Sequence, residues 1–158
     1  MTTAAQTTRV ATLADLESLA GQQLGTSSWF TVGQDKIDTF ADATDDHQWI
    51  HTDVERAKKE SPFGGPVAHG YLTLSLIIPM WSEVLIVDST TTAINYGLNK
   101  VRFTSPVPAG ARIRLVATLK SVEKLPKGGV QLTVDGVIEL ENSERPAVVV
   151  EALYRFFE

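Results

Sequence analysis

From about residue 92 to the C-terminus apolar and polar positions alternate with a period of two, whereas between about residues 34 and 85 apolar positions recur three and four apart. Those are the periods of a half-buried strand and of a helix, so the pattern predicts helices followed by strands. Ile113, Leu115, Ala117 and Leu119 alternate with Arg112, Arg114, Val116 and Thr118. In the next run Val130, Leu132, Val134, Ile138 and Leu140 share a face opposite Gln131, Thr133, Asp135 and Glu139, with Gly136 as a bulge or close-packing site. Leu125-Pro126-Lys127-Gly128-Gly129 reads as the hairpin between these strands. A last strand, Ala147 to Phe157, puts Val148, Val150, Ala152, Tyr154 and Phe156 on one side.

Earlier in the chain, residues 1–10 read as a loose tail, and Leu13 to Leu19 as a short helix before a break at Gly21 to Gly25. Trp29, Phe30 and Val32 make a short strand. Ile37, Phe40, Ala41 and Thr44 then follow the i, i+3, i+4, i+7 spacing of an amphipathic helix that ends near Thr44 or Asp45. A polar stretch to Asp53 and a charged helix from Val54 to Glu60 lead into the turn Ser61-Pro62-Phe63-Gly64-Gly65-Pro66. The apolar segment Tyr71 to Leu85 has hydrophobic residues on nearly every side, which predicts a central helix surrounded by protein and bent at Pro79. The fold class is therefore α+β: an antiparallel sheet, curved around one long apolar helix.

Composition narrows this picture. With 158 residues and 43% hydrophobic content, the chain has material for one core, and a single domain over 1–158 is expected. A net charge of −5 with scattered Lys and Arg makes nucleic acid an unexpected partner. The absence of cysteine excludes a thiol nucleophile, a disulfide framework and thiolate metal sites, and fits a cytoplasmic protein. Residues 1–9 lack the charged and apolar pattern of a signal peptide. The Leu72 to Leu85 segment falls short of the ~20 residues a membrane span needs, so no membrane association is expected.

All three histidines lie between positions 47 and 69, among Asp42, Asp45, Asp46 and Asp53. On a continuous helix Asp46 and His51 would point ~140° apart, but on a turn after a helix end they can converge and shift each other's proton affinity. His69-Gly70 opens the apolar helix, where free amides and a glycine suit an oxyanion. The bland reading of Asp46 and His51 is a surface ion pair. For His69 it is a ring that ties the turn to neighbouring backbone, and for Ser75 a helix-packing hydroxyl. His47 and His51 have a spacing that could chelate a metal with Asp42 or Asp46, but a solvated His47 is the simpler reading, and no metal or other cofactor is expected. Lys100, Arg102, Arg112 and Arg114 could meet phosphates or simply be the wet side of strands.

The run Phe40-Ala41-Asp42-Ala43-Thr44-Asp45-Asp46-His47-Gln48-Trp49-Ile50-His51, followed by Phe63-Gly64-Gly65-Pro66-Val67-Ala68-His69-Gly70-Tyr71, resembles the MaoC-like, R-specific enoyl-CoA hydratase family. Within it, the chain looks most like nodulation-N-like proteins and 3-hydroxyacyl-thioester dehydratases. The departures are Asp45 where Gly is usual, Gln48 for Asn and Trp49 for Pro. The resemblance implies a hot-dog fold and a catalytic Asp46 and His51. It also implies Gly70 in the oxyanion hole, with Gln48, Trp49, His69 and Ser75 in support or lining the substrate site. The implied reaction is hydration of a trans-2-enoyl thioester to an (R)-3-hydroxyacyl thioester, or its reverse, on coenzyme A or acyl-carrier protein in fatty acid metabolism. It further implies a homodimer with sheets joined edge to edge, to which the chain's own apolar sheet face at Val116, Val137 and the Val148 to Phe156 stripe also points. The alternatives are a hot-dog thioesterase, against which His51 argues, and a non-catalytic acyl-thioester binding module.

Overall fold

A computed structural model describes residues 4–158; residues 1–3 of the expected tail lie outside the described residues. From Gln6 onward that tail is held by pairing, which corrects the sequence expectation. Gln6 exchanges main-chain hydrogen bonds with Thr26 (2.7 and 2.9 Å), and Thr8–Val10 forms β1, paired in parallel with β4 (Leu85–Val87). Three residues are too few to show a period, and their partner lies more than seventy positions away. Leu13–Leu19 is a 3-10 helix that buries Leu13 and Leu16, its first turn closed by the Asp15 carboxylate accepting from the Thr12 amide (2.9 Å).

The expected break at Gly21 to Gly25 is partly a strand, β2 (Gln23–Thr26). Gly25 belongs in it because a Cβ there would sit 2.0 Å from the Gln6 carbonyl oxygen, so only glycine lets the N-terminal segment cross. β3 (Phe30–Thr31) precedes α1 (Gln34–Thr44), which buries Ile37 and Ala41. One further turn of helix, α2 (Trp49–Thr52), interrupts the polar stretch, and α3 spans Val54–Glu60.

The expected single central helix is two helices, α4 (Gly70–Ser75) and α5 (Ile77–Val84), broken at Leu76. Pro79 has no N–H to give the Ser75 carbonyl and its ring crowds that oxygen, so the break falls one turn before the proline. Nor is the helix pair covered on every side. Leu72, Leu76, Ile77, Met80, Trp81 and Val84 are buried, while Tyr71, Ser75, Ile78 and Ser82 form an exposed stripe.

The main sheet runs in the order β2-β6-β7-β8-β5, with β3 also on β6; β5 is Thr92–Phe103, β6 Arg112–Lys124, β7 Val130–Leu140 and β8 Val148–Phe157. All its pairings are antiparallel. β5 pairs with β8 and not with its successor β6, so the four long strands are not a simple meander. The link from β5 to β6, residues 104–111, crosses the end of the central helix. There Val107 accepts from the Ala68 amide (2.8 Å). The Val148 to Phe156 stripe lies inside the core against α5, with Trp81 and Tyr154 stacked 4.6 Å apart. On the other face of β8, Val149, paired with Val137, is exposed, but most of the exposed apolar side chains lie elsewhere: Ile94, Tyr96, Leu98 and Phe103 on the sheet-edge strand β5, beside Tyr71 and Ile78. Gly136 is a close-packing site, since a Cβ would meet Val150 at 3.0 Å, Leu115 at 3.3 Å and Ile77 at 3.7 Å. Among the described residues no helix is long and apolar enough to cross a membrane.

Candidate active site

The turn between α1 and α2 starts at Asp45, in the left-handed region (φ 58°) that ends many helices. It turns the chain so that Asp46 and His51 converge, where a continuous helix would have held them apart. The Asp46 Oδ1 accepts from the Gln48 amide (3.4 Å), and the Gln48 carbonyl accepts from the His51 amide (2.9 Å), so α2 begins at a fixed angle to the carboxylate. Trp49 is the first residue of α2, a position whose N–H needs no helical partner; that is why proline is usual there and a bulky residue is tolerated. Its ring carries the Arg56 guanidinium 4.3 Å from its centroid.

His51 is buried, and its Nδ1 lies 2.6 Å from the Val67 carbonyl oxygen. A carbonyl only accepts, so Nδ1 holds the proton and Nε2 carries the free lone pair. His69, also buried, stacks on His51 with ring centroids 3.9 Å apart, and Phe40 packs on its other side at 4.9 Å. The His69 Nε2–H donates to the Asp46 main-chain carbonyl (2.9 Å) and stands 4.0 Å from the Asp46 Oδ2. Ligand atoms of Asp46, His51 and His69 all lie within 4.8 Å of one another. They are the one such group among the described residues. Each ring has a nitrogen committed to a main-chain carbonyl and the His69 Nδ1 is buried without a protein partner, so the arrangement suits proton transfer.

Effects of both signs act on the His51 imidazole. Desolvation, the largest, pushes the His51 pKa below its ordinary value; the Val67 hydrogen bond opposes this, His69 adds to it and Asp46 opposes it. Burial therefore favours the neutral imidazole.

Gly70 opens α4, whose first-turn amides have no acceptor within the helix. It lines a cleft of about 230 Å³ with Phe63, Ala68, Thr73 and Phe103, and the Phe103 ring lies so close that a Cβ on Gly70 would meet it at 3.2 Å. Ser75 is not in this group. It is exposed, donates to the Tyr71 carbonyl (2.7 Å), and borders a separate apolar groove of about 250 Å³ with Leu74, Ile77, Ile78, Asn95 and Leu98. His47 turns outward to Asp42 (2.9 Å), which raises its pKa through that hydrogen bond. Arg112 and Arg114 are paired with Glu141 and Glu139. Phe40, the aromatic residue that opens the family run, packs on His69, whereas sequence reasoning gave no role to Phe103, the Val67 carbonyl or Gln34, whose amide reaches the His51 carbonyl. Of these Gln34 left a trace, as a polar residue opening α1 four before Asp38.

Residues 15–140 match the family described as MaoC like domain. The chain belongs to the MaoC-like dehydratase family. It is 48% identical over 144 residues to 3-hydroxyacyl-thioester dehydratase Z of Mycobacterium tuberculosis, covering 91% of this chain and 95% of that one. It is also 48% identical over 137 residues to nodulation protein N of Rhizobium leguminosarum bv. viciae, covering 86% and 85%. The fold superposes on an unliganded R-hydratase from Pseudomonas aeruginosa with a TM-score of 0.71 at 26% identity, covering 93% of this MaoC-like chain and 86% of that chain. The hot-dog arrangement expected from the sequence is therefore the one the MaoC-like chain adopts.

Proposed function

We propose that this hydro-lyase interconverts trans-2-enoyl and (R)-3-hydroxyacyl thioesters. The observation that carries the reading is the His51 imidazole, desolvated and pinned through Nδ1 so that its free lone pair shares a small volume with the Asp46 carboxylate. In hydration a water held by the pair loses a proton to it as the water oxygen bonds to the β-carbon. The π electrons move toward the thioester carbonyl, where the Gly70 amide meets the developing charge. The α-carbon then takes a proton from the pair on the same face, so one C–O and one C–H bond replace the C=C π bond and one O–H bond of the water. General acid–base help of this kind contributes ~10²–10⁴-fold.

Two copies would join along β5, because Ile94, Leu98 and Phe103 on that edge and Tyr71 and Ile78 on the helix stripe are 45% to 71% exposed in the single chain. That pairing would also cover the Ser75 groove, which then serves as a place for the acyl chain. The substrate is an acyl thioester of coenzyme A or of acyl-carrier protein.

The test is loss of enoyl-thioester absorbance with crotonyl-CoA and a longer trans-2-enoyl-CoA. Wild type is expected to hydrate at least one of them, and Asp46→Asn and His51→Ala to lose ~10²–10⁴-fold of the rate with the fold intact by circular dichroism. Thiol release from saturated acyl-CoA without hydration would instead establish a thioesterase.

A further inference from the structure

α2 is a single turn of four residues, far below the length at which a helix holds itself together, yet it carries the imidazole on which the proposed chemistry depends. Its side chain is held by Val67 and His69. Its main chain is held on one side by the Val67 amide, which donates to the Ile50 carbonyl (3.0 Å), and on the other, at His51 itself, from α1. The Gln34 Nε2 donates to the His51 carbonyl (2.7 Å) and to the Asp38 Oδ1 (2.9 Å). Both partners are acceptors only, so the amide orientation is fixed: the NH₂ faces them and Oε1 points away, where it is buried without a protein partner. A side chain that uses both N–H groups on one clamp and leaves its oxygen unmatched is serving that clamp.

We infer that Gln34 is a positioning residue that, braced by Asp38, locks the α2 turn so that the His51 imidazole keeps its place beside Asp46. The inference rests on the hydratase reading for its kinetic consequence, although the geometry it describes does not. His51 Nε2 has no rigid neighbour on its own short helix, and a displacement of about 1 Å at a reacting group can cost up to ~100-fold in rate. Asp38 lies behind the amide on exposed helix surface and touches the site through Gln34.

Gln34→Met keeps the length and loses both donors; Asp38→Ala removes the brace from a solvent-facing position. Gln34→Met is expected to lower kcat for enoyl-CoA hydration at least ~10-fold, with KM within about twofold. Asp38→Ala should give a smaller loss of the same kind, and the double variant no more than Gln34→Met alone. The readout a merely structural role would not move is the titration of His51, followed by NMR. Its titratable neighbours are Asp46 on the turn and His69 before α4, with Asp38 behind Gln34 on α1. A loosened α2 lets water in, so the midpoint should rise toward the ordinary histidine value in Gln34→Met.

An unchanged kcat and an unchanged His51 midpoint in Gln34→Met would overturn the inference. If that variant does not fold, the same two null results in Asp38→Ala overturn it. Were the wild type to hydrate no enoyl thioester, the functional proposal would fail, and the His51 midpoint alone would decide the positioning role.

Discussion

Asp45 sits at φ 58° at the C-terminus of α1, a conformation that costs most side chains about 1–2 kcal/mol and glycine nothing. Glycine, which the family pattern carries at this point, would meet the backbone requirement directly; Asp is among the few other residues that tolerate it. Asp45→Gly is therefore expected to raise stability by ~0.5–1 kcal/mol, checked by urea unfolding, with the Asp46 turn unchanged. At His51 the sign of the pH dependence follows from burial. The folded pKa lies below the ordinary value of 6.5, so the unfolded chain takes the proton first as pH falls. This contribution to stability is fully present above that value and is lost as pH drops through the folded pKa. Hydration should follow the same group, with kcat/KM level near neutrality and an acid limb lying below the ordinary histidine range. A pH–rate profile beside unfolding midpoints over about pH 5–8 checks both. That Asp46 and His51 come together was legible from the motif. The tautomer of His51 was not, because it is set by the Val67 carbonyl, and a main-chain oxygen leaves no mark in a sequence.

At the scale of elements, the central segment shows how a local rule can be right and its location wrong. Pro79 does interrupt the helix, but the interruption appears at Leu76, because the group deprived of its partner is the carbonyl one turn earlier. As the third residue of α5, Pro79 has replaced an amide that needs no intrahelical acceptor. Pro79→Ala is thus expected to change stability by less than ~1 kcal/mol, where a proline inside a continuous helix would cost ~3 kcal/mol. Chemical denaturation distinguishes the two. Gly136 behaves differently. It lies in β7, with Val150, Leu115 and Ile77 within 3.7 Å of where a Cβ would be. Gly136→Val overfills that contact and should cost about 1–3 kcal/mol, read as a lowered unfolding midpoint. The alternating runs of β6, β7 and β8 were plain in the sequence because each has one wet and one dry face. β1 and β2 were not, since three or four residues held by main-chain bonds carry no period.

For the molecule as a whole, the exposed apolar row on β5 is the feature a lone chain leaves uncovered. The dimer proposed above predicts that Leu98→Asp shifts the protein toward monomer in analytical ultracentrifugation and reduces hydration with it, because the groove beside Ser75 would lose the wall that the second copy supplies. The helix–strand division, the core faces of β6, β7 and β8 and the candidates Asp46, His51 and His69 could be read from residue order. They depend on periodicity and on local spacing, and both are written along the chain. Tertiary structure decided the rest. It paired β5 with β8 across the sheet, set the N-terminal segment against β4, stacked His69 on His51 and tied α2 to Gln34. Each of these joins groups distant in sequence through backbone atoms or ring faces. Such contacts are selected by how the layers pack, and no pattern of side chains along one segment encodes them.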